Sequence, residues 1–291
     1  MSRYDVLYIL IIKSLEAIPY KGLFYIGKVL ALLLNTLPNK HKRISKANLE
    51  LVFPHKTSLQ INSILRDSLF HSIMNILEAG LVWGKQDYKK KPGFINVKNF
   101  SEIETALSSD KGILLFTPHI GNIEIIINFL GQHTDCTIPY TQPKHKGLDK
   151  IITNSRNKSG VKMVDINVSG IKEMLAALKN KKLAAVASDQ VPKKGAGIIS
   201  KFFNNEIYSM TLLPKLQQRT GCVAYLMYCE RKEKGEGFVI HFDRKIDLSS
   251  NIQEGVDKMN NEFEKCIMKL PGQYSWEYKK FKRTKLDSIY K

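Results

Sequence analysis

The residues with the clearest chemical potential are a histidine and an acid five positions apart, His119 and Glu124. The histidine follows the apolar run 113–116, which predicts a buried strand. Thr117 and Pro118 then predict a turn, and an apolar helix that contains the acid follows. A carboxylate that accepts a hydrogen bond from one imidazole nitrogen fixes the tautomer and leaves the other nitrogen free to take a proton. The pair is therefore a candidate general base for activating a substrate hydroxyl.

The spacing of the two side chains restricts where the histidine lies. Residues five positions apart on one continuous helix point in directions about 140° apart. His119 and Glu124 therefore converge only if the histidine belongs to the turn before the helix, where Pro118 and Gly121 place it. The alternative interpretation is structural: a polar turn, followed by an acid that the positive end of the helix dipole favours. The elements and loops around the pair decide between the two.

The elements that must position this pair alternate along the chain. From Gly93 onwards, short apolar strands alternate with helical stretches, which predicts an α/β sheet with helices on both faces. Before this region, apolar residues recur at helical spacing over 59–83, which predicts one long helix. The predicted strands are 113–116, 137–140, 162–166, 183–187, 222–229 and 237–242, and the predicted helices lie near 122–130, 148–157, 170–178, 210–219 and 252–270.

Two further polar loops follow predicted strands, the positions where α/β sheets usually carry function. Asp189 and Gln190 come just after the strand at 183–187 and precede two lysines and a Gly-Ala-Gly, which suits a phosphate-bearing or hydroxylated group. The alternative for this segment is a plain surface loop rich in Pro, Lys and Gly. Another junction leads from Tyr140 to Arg156, which is either an ion-pair residue or a substrate clamp.

The chain is strongly basic, with 45 Lys and Arg against 27 Asp and Glu, a net charge of +18 and a pI near 9.6. Such an excess indicates a polyanionic partner: nucleic acid, an anionic membrane, a phosphorylated substrate or an acidic protein. Basic residues cluster at 40–46, 89–91 and 279–285. No zinc-finger spacing, aromatic RNA-binding signature or helix-turn-helix pattern accompanies them, so we expect no nucleic-acid partner. The four cysteines lack paired metal-ligand spacing, so we expect no metal site.

Two apolar runs lie near the N-terminus, at 6–12 and 22–34. Neither reaches the ~18 uninterrupted apolar residues that identify a membrane span. We expect an interfacial amphipathic anchor or one tilted, imperfect span, with the basic residues at 40–46 on anionic headgroups at the cytoplasmic side. The alternative is a helical hairpin packed on the domain, since buried helices have a similar composition.

Taken in order, five blocks of the sequence resemble one family. It is the bacterial lipid A biosynthesis (lauroyl/myristoyl) acyltransferase family of the lysophospholipid acyltransferase superfamily. The histidine-acid motif alone is a weak signal, but five ordered blocks over nearly the whole chain are a strong one. The blocks are an Asn-Leu before Phe-Pro at 43–54, the His-Ile-Gly-Asn-Ile-Glu motif within 117–124, an aromatic and Pro leading to an arginine at 140–156, an Asp-Gln followed by a double Phe at 188–203, and Gln-Tyr-Ser-Trp with basic residues at 273–282.

The resemblance implies a glycerolipid acyltransferase-like fold, in which helices flank a mixed sheet. It also implies a division of the chain. Residues 1–40 are expected to form a hydrophobic, membrane-associated helical segment, and 41–291 the acyltransferase domain. Within that domain we expect a helical lead-in at 41–92 and an α/β catalytic core at 93–291.

The resemblance further implies a membrane-associated O-acyltransferase of lipopolysaccharide or lipooligosaccharide biosynthesis, at the cytoplasmic face of the bacterial inner membrane. It would move a fatty acyl chain from acyl carrier protein, or less often acyl-CoA, to a hydroxyl of a phosphorylated lipid A precursor. His119 would deprotonate that hydroxyl and Glu124 would orient His119, with no cofactor and no metal. The residues that the resemblance assigns to substrate binding or support are Asn122, Arg156, Asp189 and Gln190.

Two alternatives to this reading remain at the level of sequence. In the first, the same chemistry acts on a lysophospholipid or another glycolipid as acceptor. In the second, the chain is a non-catalytic basic protein that binds membranes or nucleic acid. Loss of function on His119→Ala separates the enzyme from the binding protein.

Overall fold

The computed structural model describes residues 3–84 and 86–291. It confirms the predicted α/β class: a mixed sheet lies between layers of helices. The strands are β1 (Ile95–Lys98), β2 (Ile113–Thr117), β3 (Cys136–Tyr140), β4 (Lys162–Asp165), β5 (Leu183–Ala187), β6 (Gly197–Phe202), β7 (Asn205–Met210), β8 (Val223–Arg231) and β9 (Phe238–Ile246).

The helices are longest at the two ends of the chain and shorter between the strands of the sheet. In chain order they are α1 (Arg3–Ala17), α2 (Tyr20–Thr36), α3 (Lys40–Val52), α4 (Ser58–Leu77), α5 (Ala79–Trp83), α6 (Phe100–Leu107), α7 (Ile123–His133), α8 (Lys146–Ser159), α9 (Val168–Lys179), α10 (Leu212–Thr220) and α11 (Ile252–Lys269).

The topology of the main sheet brings the loops after β2 and β5 to one edge. The strand order is β1-β9-β8-β2-β5-β3-β4, and every neighbouring pair except β8 and β9 is parallel. Thr117, the last residue of β2, lies opposite Ala187, the last residue of β5. Because carboxyl ends of parallel neighbours meet at one edge, the chain segments that follow both strands begin side by side.

Burial of β2 on both faces explains its continuous apolar sequence. Its side chains alternate between the two faces of the sheet. Leu114 and Phe116 enter a core with residues of α10 and α11, whereas Ile113 and Leu115 enter a core with residues of α7. A central parallel strand covered by helices on both sides reads as an unbroken apolar run for this reason.

The predicted strands and helices of the core are confirmed, but the sequence patterns miss several further elements. They do not predict β1, α6 or the antiparallel hairpin of β6 and β7, which forms a separate two-stranded sheet. Phe203 and Asn204 form the turn of this hairpin, with φ of 46° and 61°. A two-residue type I′ hairpin turn requires positive φ at both of these positions. The helix predicted over 59–83 is confirmed, except that a break at Glu78 divides it into α4 and α5.

The two N-terminal helices pack against the rest of the protein on one side only. Helix α2 buries Leu23, Phe24 and Gly27 against α4, and a Cβ at Gly27 would lie 2.5 Å from the sulfur of Met74. Helix α1 packs on α5 and α8. The other side of the pair exposes large apolar side chains, among them Val6, Leu7, Leu10, Ile11, Tyr25, Ile26, Val29, Leu30, Leu32, Leu33 and Leu34.

Across residues 3–84 and 86–291, no helix is by itself both long and apolar enough to cross a membrane. Taken together, α1 and α2 meet the criterion of length and composition, but they are bent by 114° relative to each other. The expected membrane association of residues 1–40 and the boundary at residue 40 stay predictions.

The C-terminal block at 273–282 is part of the core and packs on α3. Trp276 is fully buried, and its ring contacts those of Phe53 (centroids 5.8 Å apart) and Tyr274 (4.8 Å). Asn48 of α3 donates hydrogen bonds to the carbonyls of Trp276 (2.7 Å) and Tyr278 (2.8 Å). Sequence blocks from both ends of the chain are therefore joined through buried hydrogen bonds and aromatic contacts.

Candidate active site

The turn that carries His119 is held by the C-terminal block and by β8. Ser275 donates its backbone N–H to the carbonyl of His119 (3.0 Å), and Gly121 donates to the carbonyl of Gln273 (3.0 Å). Gly121 has a φ of +62°, and a Cβ there would lie 2.0 Å from the carbonyl oxygen of Cys229. Only glycine fits this position without a shift of the backbone, so the turn has one well-defined path.

His119 is hydrogen-bonded to Asp189, the residue two positions beyond the end of β5. The ring Nδ1 lies 2.5 Å from Asp189 Oδ1, and the backbone N–H of His119 donates to Oδ2 at 3.0 Å. The carboxylate therefore holds both the ring and the backbone of the histidine. An Nδ1–H donated to a carboxylate leaves Nε2 with a free lone pair, the state that a general base needs.

The electrostatics of the pair favour a charged complex. Asp189 is 4% exposed and the His119 side chain 28%. Burial alone lowers the pKa of His119, but the Asp189 carboxylate outweighs it and raises this pKa above its usual value. Burial raises the pKa of Asp189, but His119 and Lys280 outweigh burial and hold that pKa well below its usual range. Asp189 therefore stays ionised and stabilises the imidazolium form of His119.

Lys280 completes the buried charge cluster behind the histidine. Its Nζ donates to the backbone carbonyl of Asp189 and lies 4.6 Å from the ring centroid of Phe202. Burial lowers the pKa of this lysine to about 8, against the opposing effects of Asp189 and Glu264. The C-terminal block thus supplies a cation to the carboxylate that orients the histidine.

Glu124 is not the acid that the structure places on His119, so the predicted contact between them is wrong. Glu124 instead forms a two-point ion pair with Arg156, from NH2 to Oε1 (2.5 Å) and from Nε to Oε2 (3.2 Å). The physical reason lies in the sheet register, which puts the loop after β5 next to the histidine turn. Helix α7 begins at Ile123 and directs its first acid toward α8. The catalytic role of Glu124 stays a prediction.

Arg156 is an ion-pair residue, one of the two roles left open by the sequence. Besides Glu124, its guanidinium carbon lies 4.9 Å from the ring centroid of Tyr140. Tyr140 in turn donates its hydroxyl to Asp149 (2.8 Å). The aromatic residue and the arginine of one sequence block and the acid of another therefore meet in one cluster at the start of α7.

A cavity of about 460 Å³ opens beside these groups. Five of the predicted site residues line it: His119, Asn122, Glu124, Arg156 and Gln190. Asp189 lies behind the imidazole, not on the cavity wall, so its contact is with His119 and not with a ligand there. The remaining wall is mostly apolar and includes Ile123, Ile126, Ile127, Leu130, Ile138, Met210, Leu212 and Met227.

Gln190 lies at the free nitrogen of the histidine. Its amide nitrogen is 3.3 Å from His119 Nε2. With Nδ1 protonated toward Asp189, Nε2 accepts a hydrogen bond from this amide in the absence of a ligand. A substrate hydroxyl that binds Nε2 takes the place of the Gln190 amide, which is then available to the substrate.

Asn122 joins the active-site turn to a buried ion pair that the sequence analysis does not identify. Its Oδ1 caps α7 by accepting the N–H of Glu124 (2.9 Å), and its Nδ2 donates to Glu78 Oε2 (2.7 Å). Glu78 also forms two bonds of 2.6 Å with Arg231, and both side chains are fully buried. The one available signal is the acid itself, which interrupts an otherwise apolar helical run.

The same ion pair gathers three other segments of the chain. Tyr20 of α2 donates its hydroxyl to Glu78 Oε1 (2.7 Å). Arg231 donates to His71 Nδ1 (2.6 Å) and to Asn75 Oδ1 (2.7 Å), both on α4. Gln273 accepts the backbone N–H of Arg231 (2.7 Å). The cluster therefore connects the N-terminal helices, α4, β8 and the C-terminal block to the first turn of α7.

Comparison with known proteins places this arrangement in a family context. The family model described as Bacterial lipid A biosynthesis acyltransferase matches residues 1–283. The chain is 25% identical over 282 residues to a lipid A biosynthesis acyltransferase of Haemophilus influenzae, covering 93% of this chain and 87% of that protein. It is 23% identical over 273 residues to the lipid A biosynthesis lauroyltransferase of Escherichia coli K12 (91% and 87%). The palmitoleoyltransferase of the same strain is 21% identical over 267 residues (91% and 86%).

The contact with Asp189 predicts how the histidine titrates. In Asp189→Asn the charge that raises the pKa of His119 is lost, while burial and Lys280 still lower it. The pKa of His119 is therefore expected to fall below its usual value. An NMR titration of the imidazole checks this, with Asp247→Asn, a substitution of an exposed acid, as control. An unchanged His119 pKa in Asp189→Asn contradicts the pairing.

The buried ion pair predicts a large effect on stability. In Glu78→Gln, Arg231 stays buried without its counter-charge, and an amide donor faces Asn122 or Arg231 in place of an acceptor. Breaking one side of such a pair costs about 3–5 kcal/mol of unfolding free energy. Denaturant unfolding of this variant and of the exposed control Glu233→Gln measures the difference. Equal midpoints in the two variants would rule out the assigned role.

Proposed function

The chain belongs to the bacterial lipid A biosynthesis acyltransferase family, and we propose that it transfers a fatty acyl chain from a thioester donor to a hydroxyl of a lipid A precursor. The family supports an acyltransferase in lipid A biosynthesis. The finer parts of the proposal are the donor and the acceptor group. The donor is a thioester of acyl carrier protein or, less often, acyl-CoA, and the acceptor group is a hydroxyl. The observation that carries them is a histidine in the wall of a largely apolar cavity, with Nδ1 held by a carboxylate and Nε2 left to accept a proton.

The proposed chemistry needs one proton acceptor and no covalent enzyme intermediate. His119 Nε2 takes the proton of the acceptor hydroxyl while the hydroxyl oxygen forms a bond to the thioester carbonyl carbon. The tetrahedral intermediate then expels the thiolate, and the imidazolium returns the proton to the sulfur. Asp189 stabilises the imidazolium between these two steps, since a carboxylate at Nδ1 favours the charged form of the ring.

The apolar wall of the cavity supports a fatty acyl chain as the transferred group. Isoleucine, leucine and methionine side chains of α7, β3, β8 and α10 line it together with the histidine. Sites of this kind bind an apolar ligand body and orient it through a few polar groups. The proposed orientation therefore puts the thioester at His119 and the acyl chain along the isoleucines.

Glu124 and Arg156 form the charged border of the same cavity. The ion pair uses two N–H groups of the guanidinium, and three further donors remain from the five that arginine carries. We propose that these donors contact a phosphate or carbonyl oxygen of a substrate, with Glu124 holding the guanidinium in place. Asn122 then acts as a positioning residue, because it caps the helix that carries Glu124.

We propose a membrane surface as the working site, at the cytoplasmic face of the bacterial inner membrane. The large apolar side chains that α1 and α2 expose in the described structure support this location. Amphipathic helices lie in the interface with such side chains in the acyl region. The net charge of +18 supports attraction to anionic lipid, to a phosphorylated acceptor and to an acidic acyl carrier protein.

Removal of the general base tests the proposed reaction. His119→Ala is expected to lower acyl transfer by about 10²–10⁴-fold. Mass spectrometry of lipid A and total lipids from expressing cells, with a purified assay on thioester donors, measures the loss. The control is His55→Ala, which replaces an exposed histidine outside the cavity. A gain of one acyl group on lipid A only with wild type and control supports the proposal.

Three results of this experiment contradict it. An acyl group gained by another lipid, and not by lipid A, assigns the same chemistry to a different acceptor. Unchanged acyl transfer in folded His119→Ala excludes His119 as the base. No lipid change with any of the three proteins, in a strain that supplies the precursors, favours the non-catalytic binding protein.

The proposed membrane contact is tested through two exposed leucines of α2. Leu32 and Leu33 are 64% and 54% exposed, so Leu32→Glu/Leu33→Glu removes little packing. We expect this variant to lose sedimentation with lipid vesicles because glutamates in the interface disfavour insertion and repel anionic lipid. The matched control Leu59→Glu/Val168→Glu replaces two apolar residues of even higher exposure elsewhere. Equal binding by the two variants contradicts this orientation on the membrane.

A further inference from the structure

A second cavity, of about 680 Å³, lies beside α2 and shares no lining residue with the active-site cavity. It opens between α2, α4, the segment after β8 and the segment that begins at Lys269. It is larger than the cavity at His119, and the proposed acyl transfer assigns it no ligand. Its position next to the exposed apolar face of α2 makes it the strongest candidate for a separate binding site.

The rim of this second cavity is basic. Five basic side chains surround it, against the acids Asp67 and Glu233. None of the five forms an ion pair with a carboxylate in the part of the chain that the structure describes, so their charges are available to a ligand. Arg231, which also lines the cavity, is neutralised by Glu78. The five basic residues are Lys28, Arg66, Lys232, Lys234 and Lys269.

Apolar side chains of α2 and α4 also line the second cavity. The rings of Phe24 and Phe70 meet edge to face there (centroids 5.1 Å apart), and Ala31 and Leu32 continue the surface along α2. Leu32 belongs both to the cavity and to the exposed apolar face of α2. The cavity is therefore continuous with the surface that we place on the membrane.

The wall toward the active site is built from buried, hydrogen-bonded groups. Gln273 exchanges two hydrogen bonds with the backbone of Arg231 (2.7 and 2.9 Å), and Arg231 is itself fixed by Glu78 and Asn75. Asn75 lines the active-site cavity, whereas Arg231 and Gln273 line the second one. A ligand in the second cavity is thus separated from His119 by an ordered layer of side chains.

We propose that the second cavity binds the headgroup of an anionic membrane phospholipid as a docking ligand, not as a substrate. A basic rim over an aromatic and aliphatic base complements a phosphate attached to acyl chains. The headgroup phosphate contacts the basic rim, and the acyl chains follow Leu32 along α2 into the bilayer. This site goes beyond the proposed acyl transfer, because its ligand is bound and released unchanged.

Vesicle binding without any acyl donor or acceptor tests the proposal. The variant Arg66→Gln/Lys269→Gln removes two rim charges, and Lys172→Gln/Lys179→Gln removes two charges from exposed positions of α9, outside both cavities. We measure sedimentation with phosphatidylcholine vesicles, with and without phosphatidylglycerol. The rim variant is expected to bind phosphatidylglycerol vesicles roughly tenfold or more weakly than wild type. The rim variant is expected to bind vesicles of phosphatidylcholine alone about as well as wild type does. The α9 variant is expected to bind both kinds of vesicle about as well as wild type does.

Several results overturn the phospholipid assignment. Equal losses of vesicle binding in the rim and α9 variants mean that only the overall charge of the protein matters. Vesicle binding at the wild-type level by the rim variant means that the cavity holds no headgroup. In detergent micelles without phospholipid, a raised KM for the lipid A precursor in the rim variant assigns the cavity to the acceptor instead. Because the vesicle assay needs no turnover, its result is independent of the proposed reaction.

Cross-linking maps the ligand directly. A phosphatidylglycerol probe with a photoreactive group near the headgroup is used with His119→Ala, so that no reaction consumes lipid. Adducts in 231–235 and on α4 are expected, and the rim variant reduces them. Adducts confined to the residues around the active-site cavity contradict the second site.

Discussion

The contact between the Asp189 carboxylate and His119 is the constraint on which the active site depends. It exists because β2 and β5 are parallel neighbours whose last residues lie opposite each other, so the segments that follow them meet at one sheet edge. The carboxylate holds the ring Nδ1 and the backbone of the histidine together. Its charge fixes the tautomer that leaves Nε2 free and stabilises the protonated ring. Every other feature of the site is arranged around that nitrogen.

A second constraint, the buried pair of Glu78 and Arg231, ties this site to the rest of the molecule. A charge pair without exposure to water persists only when hydrogen bonds satisfy its remaining donors and acceptors. Tyr20, Asn75 and Asn122 supply them here. The same contacts connect α2, which carries the exposed apolar face, to the first turn of the active-site helix. The exposed apolar side of the N-terminal helices and the candidate active site thus share one buried polar cluster.

The surface features support the proposed working site at a membrane. One apolar cavity ends at the histidine, and a second cavity, with a basic rim, opens beside α2. The two lie on either side of Arg231 and its partners. In the proposed arrangement, one lipid is held for docking and another is acylated, without competition for the same groups.

The sequence by itself determined the α/β class, most strands and helices, the family and most of the residues at the site, because apolar periodicity and short motifs are local signals. It did not determine which acid pairs with His119. Spacing along the chain favoured Glu124, whereas strand register brought Asp189, 70 positions away, to the ring. The sequence likewise did not predict that Glu78 pairs with Arg231. In the local sequence, Glu78 is only an acid in an apolar helix and Arg231 only a cation at the end of a strand. Contacts between distant segments depend on sheet order and helix packing, so only the tertiary structure decided them.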